Sequence, residues 1–272
     1  MSVEKFTTSH LQRLSTEIQR RNLRALLDLT VRVRLAWTSR DRPDEDVLSV
    51  LRGYPSHRLG SGIVRGVSRG GPSYKKQCPC ETCGGKGSRN FWKFVIRTAR
   101  HVVFNTEEAQ KTEVDFFYDD ENYQFDAFKT AKGLAVVWSK RDTDISDISC
   151  VTHDEVLGEK VTAAWRCLNE SETRPSSQSE LDLLPSCSGL PGYTALVFSH
   201  PHGQPKRVTL GDAVDREYPF VAYSAATCPG SSGAPVFLFR GSNYLPYYSP
   251  VHSGSCAASA DQNGRLNNGN VW

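Results

Sequence analysis

The sequence predicts a mainly β protein with a helical N-terminal extension. Two observations predict it. After Gly53, glycine, proline and serine punctuate short runs of β-branched and aromatic residues, the texture of an all-β barrel or sandwich. Before it, Leu11, Leu14, Ile18, Leu23, Leu26, Leu27 and Leu29 recur at spacings near three and four with charged residues between them, which makes residues 8–37 read as an amphipathic helix. The chain has 272 residues, enough to bury a sizeable core, and its 38% hydrophobic and 23% charged residues exclude a disordered chain.

Each element follows in order. Thr8 or Ser9 is placed to cap the helix. Its far end is open to two readings, because Val31, Val33 and Leu35 alternate as a strand would. Residues 41–46 form a polar break with Pro43, and a short helix is expected over 44–52. Strands are expected over 62–67, 92–98, 113–118, 134–138, 145–151, 194–198, 206–210, 219–224, 235–239 and 247–252. The polar run 171–180 reads as a linker. The expected organisation is a helical extension over 1–55, a first β unit over 56–170 and a second over 171–272.

Charge and hydropathy exclude some partners. A net charge of +3 is too weak to argue for nucleic acid. Arg13, Arg20, Arg21, Arg24, Arg32 and Arg34 cluster early, and a solvated helix face is preferred to an electrostatic patch. No window approaches a membrane span, and the opening MSVEKFTTSH lacks the apolar core of a signal peptide. The expectation is an intracellular, cytoplasmic protein with no membrane partner, its eight cysteines mostly reduced or metal-bound.

The segment Cys228-Pro-Gly230-Ser-Ser232-Gly233-Ala-Pro235-Val-Phe237 carries the strongest chemical signal. A nucleophilic serine must leave the backbone line with two amides aimed beside it. Gly230 can adopt dihedrals closed to other residues. The N–H groups of Gly230 and Ser232 would then form an oxyanion hole, and Gly233 would leave room for substrate. A Gly/Ser-rich hairpin is the plainer alternative. Upstream, Phe94-Val-Ile-Arg-Thr-Ala-Arg-His101 is an apolar strand ending beside a histidine. Its imidazole can take the serine proton and later return it. Alone, such a histidine is more often structural; the serine segment reverses that balance.

Thr98-Ala99-x-His101 resembles the Thr-Ala-x-His motif of trypsin-like serine peptidases, and Gly230-x-Ser232-Gly233-x-Pro235 their Gly-x-Ser-Gly-x-Pro motif. The order His then Ser matches, with the acid expected between. The resemblance covers about residues 56–256. It implies two six-stranded antiparallel β-barrels with the site in a cleft between them. Gly60-Ser-Gly-Ile-Val64 resembles the strand that opens the first barrel, and Ser199-His-Pro-His-Gly203 a turn of intracellular and HtrA-type members. Val251-His252-Ser253-Gly254 resembles the strand lining the primary specificity pocket, and Ala226 occupies the position at that pocket's base. An uncharged base suits an apolar or aromatic P1 side chain. Position 231 is Ser where secreted digestive members carry Asp, which implies no zymogen switch of their kind.

Two aspartates compete for the acid. Asp147-Ile-Ser-Cys resembles the family's Asp-Ile-Ala segment, while Asp144 would start an alternation through Ser146, Ile148 and Cys150 on one strand face. Three residues apart, they cannot both face His101 from one regular strand. The alternation favours Asp144. His153 and Asp154 read as a turn, and are a third option for the triad.

The resemblance also places Cys228 and Cys256 where secreted relatives hold a pocket-bracing disulfide; paired reduced thiols fit equally. Cys80-x-x-Cys83 has a spacing at which two thiolates bind one Zn²⁺, and with the following glycines it resembles half of a zinc-binding chaperone repeat. Cys78 lies close by, yet a fourth ligand is not evident, so no residue is assigned to a metal and a surface hairpin is the default. The resulting expectation is a serine endopeptidase acting on protein or peptide substrates without a cofactor. Its alternative is a peptidase-fold scaffold with little turnover, in which residues 1–55 dock partners, pack across the barrels or occlude the cleft.

Overall fold

The computed structural model describes residues 1–3, 5–6, 17–74, 76–80, 83, 89–120, 129–170, 193–217, 220–240, 243–244, 250–256 and 266–270. The linker at 171–180, the cap at Thr8 or Ser9 and the first half of the run 247–252 lie outside them.

Helix α1 spans Glu17–Leu29. It buries Leu23, Leu26, Leu27 and Leu29 and exposes Arg20, Arg21 and Arg24, as its period predicts. The helix stops at Leu29 rather than 37. Thr30 Oγ1 donates to the Leu26 carbonyl at 2.9 Å, and the chain then turns into strand β1, Thr30–Trp37. Val31, Val33 and Leu35 point into the core, which is the alternation visible in the sequence. Arg32 and Arg34, on the opposite face, are not part of a helix surface. Both reach the buried Asp115 carboxylate, at 2.8 and 2.6 Å.

β1 is therefore the first strand of a closed barrel, which begins before residue 55. Its other strands are β2 (Pro55–Gly70), β3 (Phe91–Ala99), β4 (Thr112–Phe116), β5 (Lys129–Lys140) and β6 (Ile145–Thr152). They close antiparallel in the order β1-β2-β3-β6-β5-β4, so this barrel exposes no sheet edge. Val31, Val33, Phe94, Ile96, Val114, Phe116 and Ile148 fill its core. Between β3 and β4 runs the loop bearing His101, followed by the short helix α2, Thr106–Gln110. The helix expected over 44–52 is reduced to one 3₁₀ turn, Ser49–Leu51.

Helix α3, Glu155–Glu170, has no counterpart in the sequence expectation. Asp154 starts it, its Oδ1 accepting the Leu157 amide at 2.8 Å. Leu157, Val161 and Ala164 bury one face of α3, which packs on α1.

The second β unit is expected to be another six-stranded barrel. The structure has a seven-stranded antiparallel sheet, ordered β11-β10-β7-β8-β9-β13-β12. The strands are β7 (Thr194–Ser199), β8 (Arg207–Glu217), β9 (Phe220–Tyr223), β10 (Val236–Arg240), β11 (Asn243–Tyr244), β12 (Val251–Cys256) and β13 (Leu266–Asn270). The start of β12 returns to β10 through a single bridge, Pro235 to Val251, with Val236 N donating to Pro250 O at 2.8 Å and His252 N to Ala234 O at 2.9 Å. Along β7 the side chains alternate between two cores. Ala195 and Val197 join Val221, Tyr223, Val236 and Leu238, while Leu196 and Phe198 join the barrel's core with Phe237. Both faces of β7 are thus covered, and the two β units pack as one body. Among the described residues, no helix is long and apolar enough to cross a membrane.

Candidate active site

The site is built around Asp144. This residue closes the β5–β6 turn in a left-handed conformation, φ 49°, which Asp tolerates better than most side chains. It precedes β6 and does not open the strand alternation that favoured it in the sequence. The left-handed turn aims both its carbonyl and its carboxylate at the β3–α2 loop. The carbonyl accepts the Arg100 amide at 2.8 Å. Oδ1 accepts the His101 amide at 2.9 Å, and Oδ2 lies 2.6 Å from His101 Nδ1. A third donor arrives from the second sheet: Ser253 Oγ donates to Oδ2 at 2.5 Å.

Burial pushes the Asp144 carboxyl up, but His101, Ser253 and the His101 amide outweigh it and hold it below its ordinary range. An ionised carboxylate only accepts, so it assigns the ring proton to Nδ1 and leaves the lone pair on Nε2. The His101 side chain stays 38% exposed.

Asp147 goes elsewhere. It sits opposite Arg97 in the β3–β6 ladder and forms a two-pronged ion pair with it, both contacts at 2.8 Å. Its carboxylate is committed there and makes no hydrogen bond to His101 among the described residues. His153 does not belong to this constellation either; its ring meets three cysteines at the far end of β6.

The Ser232 turn is docked onto the barrel through the amide and hydroxyl of Ser61. Ser61 N donates to Ser232 O at 2.7 Å, Ser61 Oγ donates to Gly230 O at 2.9 Å, and Ser61 Oγ accepts His200 N at 2.9 Å. Thr98 Oγ1 donates to Ser61 O at 2.7 Å, tying β2 to the strand that leads into His101. Gly233 N donates to His252 O at 2.8 Å, next to Ser253. Gly230 and Gly233 both have positive φ, 94° and 86°. A Cβ on Gly233 would lie 2.2 Å from Ser61 O and 2.8 Å from Ala99 N, which shows how closely this turn approaches the His101 segment. Among the described residues, the amides of Gly230 and Ser232 have no acceptor, and no hydrogen bond joins Ser232 Oγ to His101. Hydrogen bonds of this kind often tighten only when substrate is bound.

Nothing in the motif spacing points to the residues that brace the loop. Arg42 and Glu108 are fully buried and paired at 2.7 Å. Glu108 also accepts the amides of Ser39 and Phe104, both at 2.9 Å, and Arg42 Nη2 donates to the His101 carbonyl at 3.0 Å. The signal available was Asn105-Thr-Glu-Glu108, a helix-cap pattern: Asn105 Oδ1 accepts the Glu108 amide at 3.1 Å.

The segment expected to line a specificity pocket is partly exposed. Ala226 is exposed, and Ser253 and Gly254 are half-buried. His252 is buried, however, and is hydrogen-bonded through Nδ1 to the Tyr223 hydroxyl at 2.6 Å. Ser231 is buried too, its hydroxyl 3.1 Å from Ser199 Oγ and accepting Cys228 N at 3.3 Å. Cys228 is a free, exposed thiol, and the Cys256 side chain lies outside the described residues.

No family model matches the chain, and no curated relative is found. Solved structures with a similar fold include a serine endoprotease from Yersinia pestis, at 15% identity and a TM-score of 0.47. Another is the HtrA-type protease AlgW with a tripeptide, at 13% identity and a TM-score of 0.45. The matches cover 95% and 92% of this chain but 63% and 58% of those chains, so this chain spans about three-fifths of their length.

Behind Gly230, the turn from His200 to Gly203 supplies a pH dependence. His200 is fully buried, stacks on Tyr118 with 5.9 Å between ring centroids, and donates from Nδ1 to Gln204 O at 3.0 Å. Burial, reinforced by the Lys206 charge, lowers its pKa well below the ordinary 6.5. A lowered histidine pKa means that the unfolded chain takes up a proton the fold excludes. Stability is therefore fully present above pH ~6.5 and falls below it, by up to about 1.4 kcal/mol per pH unit. Denaturant titrations from pH 8 to 5 should show a shallower acid decline in His200→Phe than in the wild type; equal slopes would contradict the assignment.

Proposed function

We propose that this chain is a serine endopeptidase in which Ser232 is the nucleophile, His101 the general base and Asp144 the acid that orients it. The observation supporting this best is the Asp144 carboxylate, which receives His101 from the barrel and Ser253 from the second sheet, beside the turn that bears Ser232. In the first step Ser232 Oγ attacks the carbonyl carbon of the scissile peptide, and its proton passes to His101 Nε2. Asp144 stabilises the imidazolium without taking its proton. The amides of Gly230 and Ser232, which have no acceptor among the described residues, receive the developing oxyanion. Collapse breaks the C–N bond as Nε2–H protonates the leaving amine. Water, deprotonated by His101, then hydrolyses the acyl-serine and returns the proton to Ser232. No cofactor enters these steps.

Ala226, Ser253 and Gly254 form the substrate-facing part of the specificity pocket in this reading, with the buried His252 behind them. A pocket with an alanine base offers no carboxylate to a basic side chain, so an apolar or aromatic P1 residue is preferred. A second reading is a peptidase-fold binding protein with little turnover. It keeps the fold and the Ser232 turn without requiring a hydrogen bond between Ser232 Oγ and His101, which is absent among the described residues.

Fluorophosphonate labelling separates the two. The wild type should label covalently and Ser232→Ala should not. Labelling that persists in Ser232→Ala removes Ser232 from its role, and a folded wild type that never labels supports the binding reading. Asp144→Asn should lower kcat by about 10³–10⁴-fold by leaving the wrong tautomer, whereas Asp147→Asn should stay within several-fold while losing stability. The reverse ranking would reassign the acid. In a peptide library, cleavage should fall after apolar and aromatic residues; cleavage mainly after Arg and Lys would refute the pocket assignment.

A further inference from the structure

Far from the proposed active site, four side chains converge without an explanation in peptidase chemistry. Cys78, Cys80 and Cys83 lie in the connection between β2 and β3, and His153 follows the last residue of β6. His153 Nε2 stands 3.3 Å from Cys78 Sγ, 3.5 Å from Cys80 Sγ and 3.3 Å from Cys83 Sγ. All four ligand atoms lie within 4.8 Å of one another. One imidazole nitrogen offers a single lone pair or a single N–H, so it cannot hydrogen-bond three thiols at once. A disulfide between two of the sulfurs would leave the third and the ring unexplained, and the three cysteines are free.

We propose that Cys78, Cys80, Cys83 and His153 bind one structural Zn²⁺. A tetrahedral zinc with Zn–S of about 2.3 Å and Zn–N of about 2.0–2.1 Å separates its nitrogen from each sulfur by about 3.5 Å, which matches the spacing. The ring is also set correctly. His153 Nδ1–H donates to the Asn90 carbonyl at 2.9 Å, which leaves the Nε2 lone pair facing the sulfurs. The Cys80 amide donates to Cys78 Sγ at 3.5 Å, a contact that favours thiolate over thiol. Phe91 and Val151 pack beside the buried Cys78 and give the site an apolar wall. On binding, the three thiols release their protons, and the bound site carries a net charge of −1.

Four protein ligands fill a tetrahedral zinc and leave no open position for substrate, so the metal is structural. His153 and Asp144 flank opposite ends of β6, nine residues apart, which at about 3.3 Å per residue sets them roughly 30 Å apart. The zinc clamps the β2–β3 connection to the β6–α3 junction and holds the end of β6 distant from Asp144. This inference does not rest on the proposed peptidase activity.

The test uses the full chain purified without chelators. Elemental analysis should find one zinc per chain. Cobalt(II) replacing it should give the visible absorption of a tetrahedral centre with thiolate-to-cobalt charge transfer in the near ultraviolet, and one equivalent of Zn²⁺ should bleach both. Chelation should lower Tm, and Zn²⁺ should restore it. Cys83→Ser and His153→Gln should each lose most of the bound zinc. Because either variant can misfold, the wild-type cobalt spectrum decides independently. A metal content near zero together with no sulfur-coordinated cobalt spectrum would overturn the proposal, as would full zinc occupancy in both variants.

Discussion

The candidate site depends on one carboxylate placed where two β units meet. Asp144 accepts the His101 amide and ring from the barrel and the Ser253 hydroxyl from the sheet, while its own carbonyl takes the Arg100 amide. Hydrogen bonds to a charged group contribute on the order of 1.5–3 kcal/mol each. Three of them make ionisation favourable despite burial, which is why the carboxyl stays acidic. The same bonds orient the imidazole, so the electrostatics and the geometry of the site have one origin.

Around that carboxylate, the fold supplies rigidity from both sides. Ser61 on β2 clasps the Ser232 turn through its amide and hydroxyl, and the His200–Gly203 turn presses against Gly230 so closely that a Cβ there would meet His200 O at 2.7 Å. On the other side, the buried Arg42–Glu108 pair holds the His101 carbonyl and the Phe104 amide. The pair is itself supported, Arg42 by Asp46 at 2.8 Å and Glu108 by Arg58 at 2.9 Å, so the buried charges form a network rather than a lone pair. The loop bearing His101 is short and irregular, so such fixed points replace the regular backbone ladder that it lacks.

The sequence made some of this legible and hid the rest for identifiable reasons. Local signals carried through: the alternation of Val31, Val33 and Leu35 marks β1, and the Gly-rich run around Ser232 marks a strained turn with two positive-φ glycines. The choice of Asp144 over Asp147 was supported by an alternation it does not join; what separates them is a left-handed turn and the Arg97 ion pair, neither visible as a pattern. β13 was hidden because Leu266-Asn-Asn-Gly-Asn270 has the composition of a turn and forms a strand through its neighbours β9 and β12. His153, read as part of a turn, meets the three cysteines only through folding, being 70 residues from Cys83. Long-range partners of this kind leave no periodic trace in a single chain.

The claim that Asp144 positions His101 is open to direct measurement by proton NMR. An imidazole Nδ1–H held against an ionised carboxylate at 2.6 Å resonates far downfield of ordinary amides. The account expects that signal in the wild type and in Asp147→Asn, and expects its loss in Asp144→Asn. A downfield proton that survives Asp144→Asn and disappears in Asp147→Asn would contradict it.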